Sequence, residues 1–136
     1  MRDVGSFSFT AVPESLSAAR SCVRGVLQGC NRGDKEMDVN IVVGEILQNV
    51  IRYGFDGGND AGQFNMQFMV GDNNLEVIIT DNATPSDPTS WNNEHRKPEE
   101  GGHGLTLVNA IAESVLFEML ETGNQATLRF VFDEAT

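Results

Sequence analysis

Three groups of residues in this sequence have types and spacings that could do chemistry. The first is in "EILQNVIRY", where Glu45, Asn49 and Tyr53 recur every four residues. On a helix that spacing forms a row along one side. At about 100° per residue, the row lies beside the apolar stripe of Val39, Val42, Val43, Ile46, Leu47, Val50 and Ile51. An oxygen-rich pair so placed suits a hard cation such as Mg²⁺, which keeps waters and substrate phosphates as its other ligands. A carboxylate one turn away could take a proton from an attacking hydroxyl. The same row also reads as the polar flank of an amphipathic helix. The second group is "ITDNATPSDP", in which an apolar strand ends on Asp81 and breaks into a loop carrying Pro85 and Pro88. Asp and Pro stop strands and build turns, so a turn alone would account for it. The third is "GGHGLTLV", where Gly101, Gly102 and Gly104 precede a helix starting near Leu105. Glycines let backbone N–H groups approach an anion, and a helix N-terminus adds partial positive charge. A hinge before an ordinary helix fits the same letters. There is no dinucleotide fingerprint and no Gly-Lys-Ser/Thr phosphate loop.

The elements that must position these groups follow from periodicity. Phe7 and Phe9 alternate with Ser6, Ser8 and Thr10, as in a half-buried strand. Pro13 opens a helical turn, and Leu16, Ala19, Val23, Val26, Leu27 and Cys30 recur at helical spacing until Asn31 and Gly33. A second helix is expected from about Glu36 to Phe55. Phe64, Met66, Phe68 and Val70 share one strand face. Gly71, Asp72, Asn73 and Asn74 read as a hairpin turn, and Leu75, Val77 and Ile79 lead to Asp81. Little apolar content follows until a helix through Leu105, Val108, Ile111 and Ala112. Two last strands lie around Phe117 and Phe130. Hairpin-linked strands with three helices to cover one face predict a two-layer α+β sandwich.

Bulk properties exclude several classes. A chain of 136 residues, 40% hydrophobic and 21% charged, fits a single folded domain over residues 1–136. Its formal charge of −11 opposes direct nucleic-acid binding and an anionic membrane surface. A nucleotide ligand stays open if local amides or a metal offset the acidity. Cys22 and Cys30, eight apart on one helix, are separated by about 12 Å of rise and cannot form a disulfide there. They read as buried small apolar residues. Without a leader-like or membrane-spanning stretch, the expectation is a reduced, cytoplasmic protein with no membrane role.

Taken together and in order, the segments resemble the anti-sigma-factor serine/threonine kinase branch of the GHKL ATPases. "EILQNVIRYGF" is similar to that family's N box, "DNATPSDP" to its first glycine box, "GGHGLTLVNAIAESVLFE" to its second, and "QATLRFVF" to its closing segment. The resemblance runs from about Phe7 to Phe132. It implies a Bergerat-type α/β sandwich, with a mixed, mainly antiparallel sheet covered on one face by helices. It also implies ATP as substrate, ADP as product and Mg²⁺ as cofactor. Asp81 matches the carboxylate that accepts the exocyclic amine of adenine, and Thr127 the threonine that assists there through water. Asn49 matches the Mg²⁺ ligand and Glu45 the general base. Gly101, Gly102, His103, Gly104, Leu105 and Thr106 match the phosphate-wrapping segment, and residues from about Ser86 to Gly101 the ATP lid. Tyr53, Ala83 and Pro85 fall in the nucleotide-binding boxes.

Several residues depart from the pattern. Tyr53 replaces a histidine. Ala83 replaces a glycine, with strain expected if the position needs positive φ. Ser86 replaces a phenylalanine. Glu100 stands where some members carry arginine, with His95, Arg96 and Lys97 the nearest cationic substitutes. The implied activity is phosphorylation of a STAS-domain anti-sigma-factor antagonist, with a sigma factor as a further partner. The alternative is a nucleotide-sensing binding module without significant kinase activity. A homodimer is compatible with the pattern, because a face shared between copies reads like core in one dimension.

Overall fold

The computed structural model describes residues 1–86 and 104–132, with 104–107 by backbone alone. Strand β1 (Arg2–Ala11) leads through a 3₁₀ turn at Pro13–Ser15 into α1 (Leu16–Gly29). A second 3₁₀ turn at Gly33–Lys35 precedes α2 (Glu36–Asn49), which continues as a π-turn over Val50–Gly54. Then come β2 (Asn59–Val70), β3 (Asn74–Asp81), α3 (Gly104–Ile111), β4 (Ser114–Leu120) and β5 (Gly123–Val131). The sheet order is β1-β2-β3-β5-β4, and all four pairings are antiparallel. No described helix is long and apolar enough to cross a membrane.

Strand alternation puts Phe64, Met66 and Phe68 of β2, Leu75, Val77 and Ile79 of β3, and Ala126, Leu128 and Phe130 of β5 on one buried face. Against it lie Ala19, Val23 and Leu27 of α1 and the α2 stripe from Val39 to Leu47. Each large side chain in this layer contributes about 1.5–3 kcal/mol by leaving water. Register joins these residues into rows across the sheet: Met66 opposite Ile79 opposite Ala126, and Phe68 opposite Val77 opposite Leu128. The next row toward the strand ends is Phe9, Phe64, Asp81 and Asn124. Phe9 and Phe64 stack at 5.4 Å, so this row begins as core and ends as a carboxylate facing an amide.

Asn31 ends α1, as its sequence position suggests. It adopts φ 62°, and the following N–H groups fold back on the last carbonyls: Asn31 N–H to Gln28 O at 3.2 Å and Arg32 N–H to Leu27 O at 2.7 Å. That pair of bonds is a Schellman stop. Arg32 then donates to the Asp72 carbonyl at 3.2 Å and lies 5.4 Å over the Phe132 ring, tying the helix end to the β2–β3 turn. Cys22 and Cys30 are free thiols, half-buried rather than fully buried. Burial pushes the Cys22 thiol above its ordinary pKa.

The second helix differs from its reading as one α-helix to Phe55. Regular α geometry stops at Asn49, and the chain widens into the π-turn. A π-turn carries more residues per turn, so Tyr53 no longer stands directly above Asn49. Phe55 closes the turn and packs over Gly62. A methyl built on Gly62 would come within 2.5 Å of Phe55 Cε1 and 3.1 Å of Ala11 Cβ. Gly62→Ala is therefore expected to destabilise the fold by about 1–3 kcal/mol through overpacking. The readout is a lower urea midpoint at unchanged slope; an unchanged midpoint would mean that the Phe55 ring swings aside at no cost.

Candidate functional site

Asp81 occupies the inward position next after Ile79 on β3, where the apolar row meets the end of α2. It is 9% exposed. Burial of this carboxylate raises its pKa above the ordinary value of 3.8, and hydrogen bonds from Asn124 and Ala83 act in the opposite sense. The Ala83 N–H donates to Asp81 Oδ1 at 2.9 Å, and Asn124 Nδ2 donates to the same oxygen at 3.1 Å. The Asn124 backbone N–H is a third donor to this carboxylate. The carboxylate borders a narrow cleft whose walls include Ile46, Val50, Ile79 and Phe117, with Asn124 beside Asp81. A mostly apolar slot with a buried carboxylate at its end, and Glu118 also on its lining, offers acceptors to a ring that bears an amine donor.

The loop after Asp81 is held in place by two asparagines. Asn82 Oδ1 accepts from Gln63 N–H at 2.8 Å, which continues the β2–β3 ladder one step further. Asn124 Nδ2 also donates to the Thr84 carbonyl at 3.2 Å, while its Oδ1 accepts from Ser86 N–H at 2.9 Å. Ala83 is 4% exposed and lies outside the positive-φ region, so the strain expected of an alanine there is absent. Gly54 makes room for its methyl: a Cβ on Gly54 would stand 3.0 Å from Ala83 Cβ. Pro85 is exposed and does not line the cleft, whereas Ser86 does.

Thr127 requires a correction. Its neighbours Ala126 and Leu128 face the helices, so strand alternation turns Thr127 to the opposite face, where it registers with Ile78 and Leu116. Ala126 lines the cleft in its place. The signal was present in the sequence, since Leu128, Phe130 and Phe132 alternate and Ala126 is in phase with them. Asn124 shares that phase and was missed because nothing local marks it as Asp81's partner.

The helical row is divided by its surroundings. Asn49 is 2% exposed at the last α-helical position of α2. Glu45, one turn earlier, is half-buried at the edge of an open groove shared with Arg20, Asn40 and Gln48. Tyr53 is half-buried in the π-turn and lines a hollow with Arg52, Asp56 and Gly57, apart from the Asp81 cleft. Among the described residues no cluster of three His, Cys, Asp or Glu could hold a metal alone. The donor set does fit Mg²⁺, which binds through one or two protein oxygens together with waters and phosphates. The Asn49 amide oxygen is such a donor. Gly104, Leu105 and Thr106 form the first turn of α3, which packs against α2. Backbone N–H groups of a first helical turn have no intrahelical acceptor and are available to an anion. Gly101, Gly102 and His103 lie outside the described residues, as does most of the lid segment that ends at Gly101.

Comparison with known proteins places this geometry in a class. The sequence profile of the histidine kinase-like ATPase domain matches residues 9–131. The protein belongs to the histidine kinase-like ATPase domain family. Within it the chain is similar to proteins named serine-protein kinase RsbW. Identity is 25% over 125 residues with that of Listeria monocytogenes serotype 4a, covering 85% of this chain and 79% of the relative. It is 26% over 116 residues with that of Bacillus licheniformis, covering 77% and 71%. A solved histidine kinase domain from the Erythrobacter litoralis EL346 blue-light activated histidine kinase superposes over 88% of this chain with a TM-score of 0.55. At 16% identity that likeness concerns the fold, and this chain spans 60% of that domain's length. These similarities bear out the resemblance to anti-sigma-factor kinases and the two-layer α+β fold.

Proposed function

We propose that this protein is an ATP- and Mg²⁺-dependent serine/threonine protein kinase that phosphorylates a STAS-domain anti-sigma-factor antagonist in a partner-switching pathway. A sigma factor is the second partner in this reading. The observation that carries it is Asp81: a nearly buried carboxylate, fixed by hydrogen bonds from Ala83 and Asn124, at the end of a mostly apolar cleft in a histidine kinase-like ATPase domain. A carboxylate buried beside a cleft at a cost to the folded state is suited to accept an amine from a base.

The remaining roles follow from position. Asp81 holds adenine, and the first-turn amides of α3 receive the phosphates. Asn49 would hold Mg²⁺, which when bound supplies positive charge against the triphosphate. Glu45 takes the proton of the acceptor hydroxyl as its oxygen bonds to the γ-phosphorus and the bond to ADP breaks. The groove beside Glu45 leaves that carboxylate within reach of a protein substrate.

Incubation with γ-³²P-labelled ATP, Mg²⁺ and the antagonist tests the proposal, with stable phosphoserine or phosphothreonine on the antagonist as the expected product. ATP-dependent association without transfer would leave the nucleotide-sensing module as the correct reading. No nucleotide binding at millimolar Mg·ATP would overturn both. The ordinary backbone of Ala83 removes one ground for favouring the sensor.

A further inference from the structure

We propose that Asn124 is a positioning residue for base recognition: its side-chain amide orients the Asp81 carboxylate for a ligand amine while fastening the loop that leaves β3. Three hydrogen bonds carry this. Asn124 Nδ2 reaches Asp81 Oδ1 at 3.1 Å and the Thr84 carbonyl at 3.2 Å, and Asn124 Oδ1 receives Ser86 N–H at 2.9 Å. The side-chain amide thus joins the end of β3 to residues three and five positions further on. Asn124 and Asp81 are direct cross-strand partners, and both line the cleft.

The chemistry of the amide explains the choice of residue. Asp81 is ionised only if donors replace the water it has lost, and an amide supplies one without bringing a positive charge into the slot. A lysine or arginine here would pair with the carboxylate and compete with the ligand's amine. A hydroxyl could not donate and accept in two directions at this span. Two substituents on one planar group also couple the carboxylate to the loop: if the loop pulls away, Asp81 loses a donor. Asn124 acts through Asp81, so it is distinct from the residues that would meet the nucleotide's phosphates.

This inference rests on the cleft being a base site, yet its first test needs no nucleotide. Carboxyl ¹³C NMR titration of the ligand-free protein should show the Asp81 midpoint moving upward in Asn124→Ala. Glu118 of β4, which also lines the cleft, is assigned separately in the same spectra so that the Asp81 signal is followed alone. An Asp81 midpoint unchanged from wild type would overturn the positioning role whether or not ATP binds. The second test is a double-mutant cycle on Mg·ATP binding. Asn124→Ala should weaken binding by about 10-fold in the wild type, the scale of one hydrogen bond to a charged group. It should weaken binding by less than about 2-fold in an Asp81→Asn background, where no charge remains to be positioned. An equal loss in both backgrounds would show a general structural effect and sink the proposal. Should Asn124→Ala not fold, Asn124→Asp keeps the side-chain size and the acceptor for Ser86 N–H. It loses the donor to Asp81, so the same upward shift is expected, enlarged by like-charge repulsion.

Discussion

Glu45→Gln is expected to slow phosphoryl transfer to the antagonist by about 10²–10⁴-fold, the usual contribution of a positioned general base. Affinity for Mg·ATP should change by no more than about 3-fold, because Glu45 lies on the open groove and not on the Asp81 cleft. Glutamine keeps the size and one carbonyl oxygen of glutamate but cannot accept a proton at neutral pH. The fold should be indifferent to the change: Glu45 is half-buried, and most of its neighbours on the groove are polar or exposed. Single-turnover transfer of ³²P, measured beside calorimetric ATP binding, separates the two quantities. A transfer rate within 3-fold of wild type would remove Glu45 from the reaction. A parallel loss of ATP affinity would make it a binding residue instead.

The second large effect lies at Asp81. Asp81→Asn is expected to weaken Mg·ATP binding by about 10²-fold, because a hydrogen bond to a charged acceptor is lost and an amide donor can confront the adenine amine. Stability should change in the other direction. The native carboxyl holds its proton more tightly than the unfolded chain, since burial raises its pKa above 3.8. As pH rises from that unfolded value through the native one, the folded state must give up a proton that the unfolded state has already lost, and stability falls. Above the native pKa the cost persists. Asparagine removes it while keeping an oxygen for Ala83 N–H and Asn124 Nδ2. Ligand-free Asp81→Asn should therefore melt higher than wild type at pH 7, and the gain should vanish toward pH 3, where both states of the wild type are protonated. A lower melting temperature at pH 7 would mean that the charge-assisted bonds outweigh the burial cost. A variant both more stable and unable to bind is what a site held against folding's interest predicts.

How much of this was legible can be argued from single residues. Order and type of elements came from periodicity, because a stripe every three or four residues and an alternation every second one are direct records of which side meets the core. The α2 stripe, the Asn31 stop, the turn at Gly71–Asn74 and the strand ending at Asp81 all stand where those rules put them. Tyr53 did not, because a π-turn changes the angular step without changing the letters. Thr127 differs for another reason: the strand phase set by Leu128 and Phe130 turns it away from the helices, whatever the motif's spacing implies.

By itself, then, the sequence determined the alternation and helical stripes that make a two-layer fold, and the position along the chain where a carboxylate must end a strand. Tertiary structure alone decided what that carboxylate meets. Asn124 lies 43 residues from Asp81, and no local pattern specifies the β3–β5 register that sets them opposite one another. Likewise, Gly54 becomes the space for the Ala83 methyl only when the end of α2 is packed against the loop leaving β3. The physical reason is that side-chain periodicity encodes which face is buried, whereas partners across a sheet or between layers are fixed by long-range packing summed over the whole core.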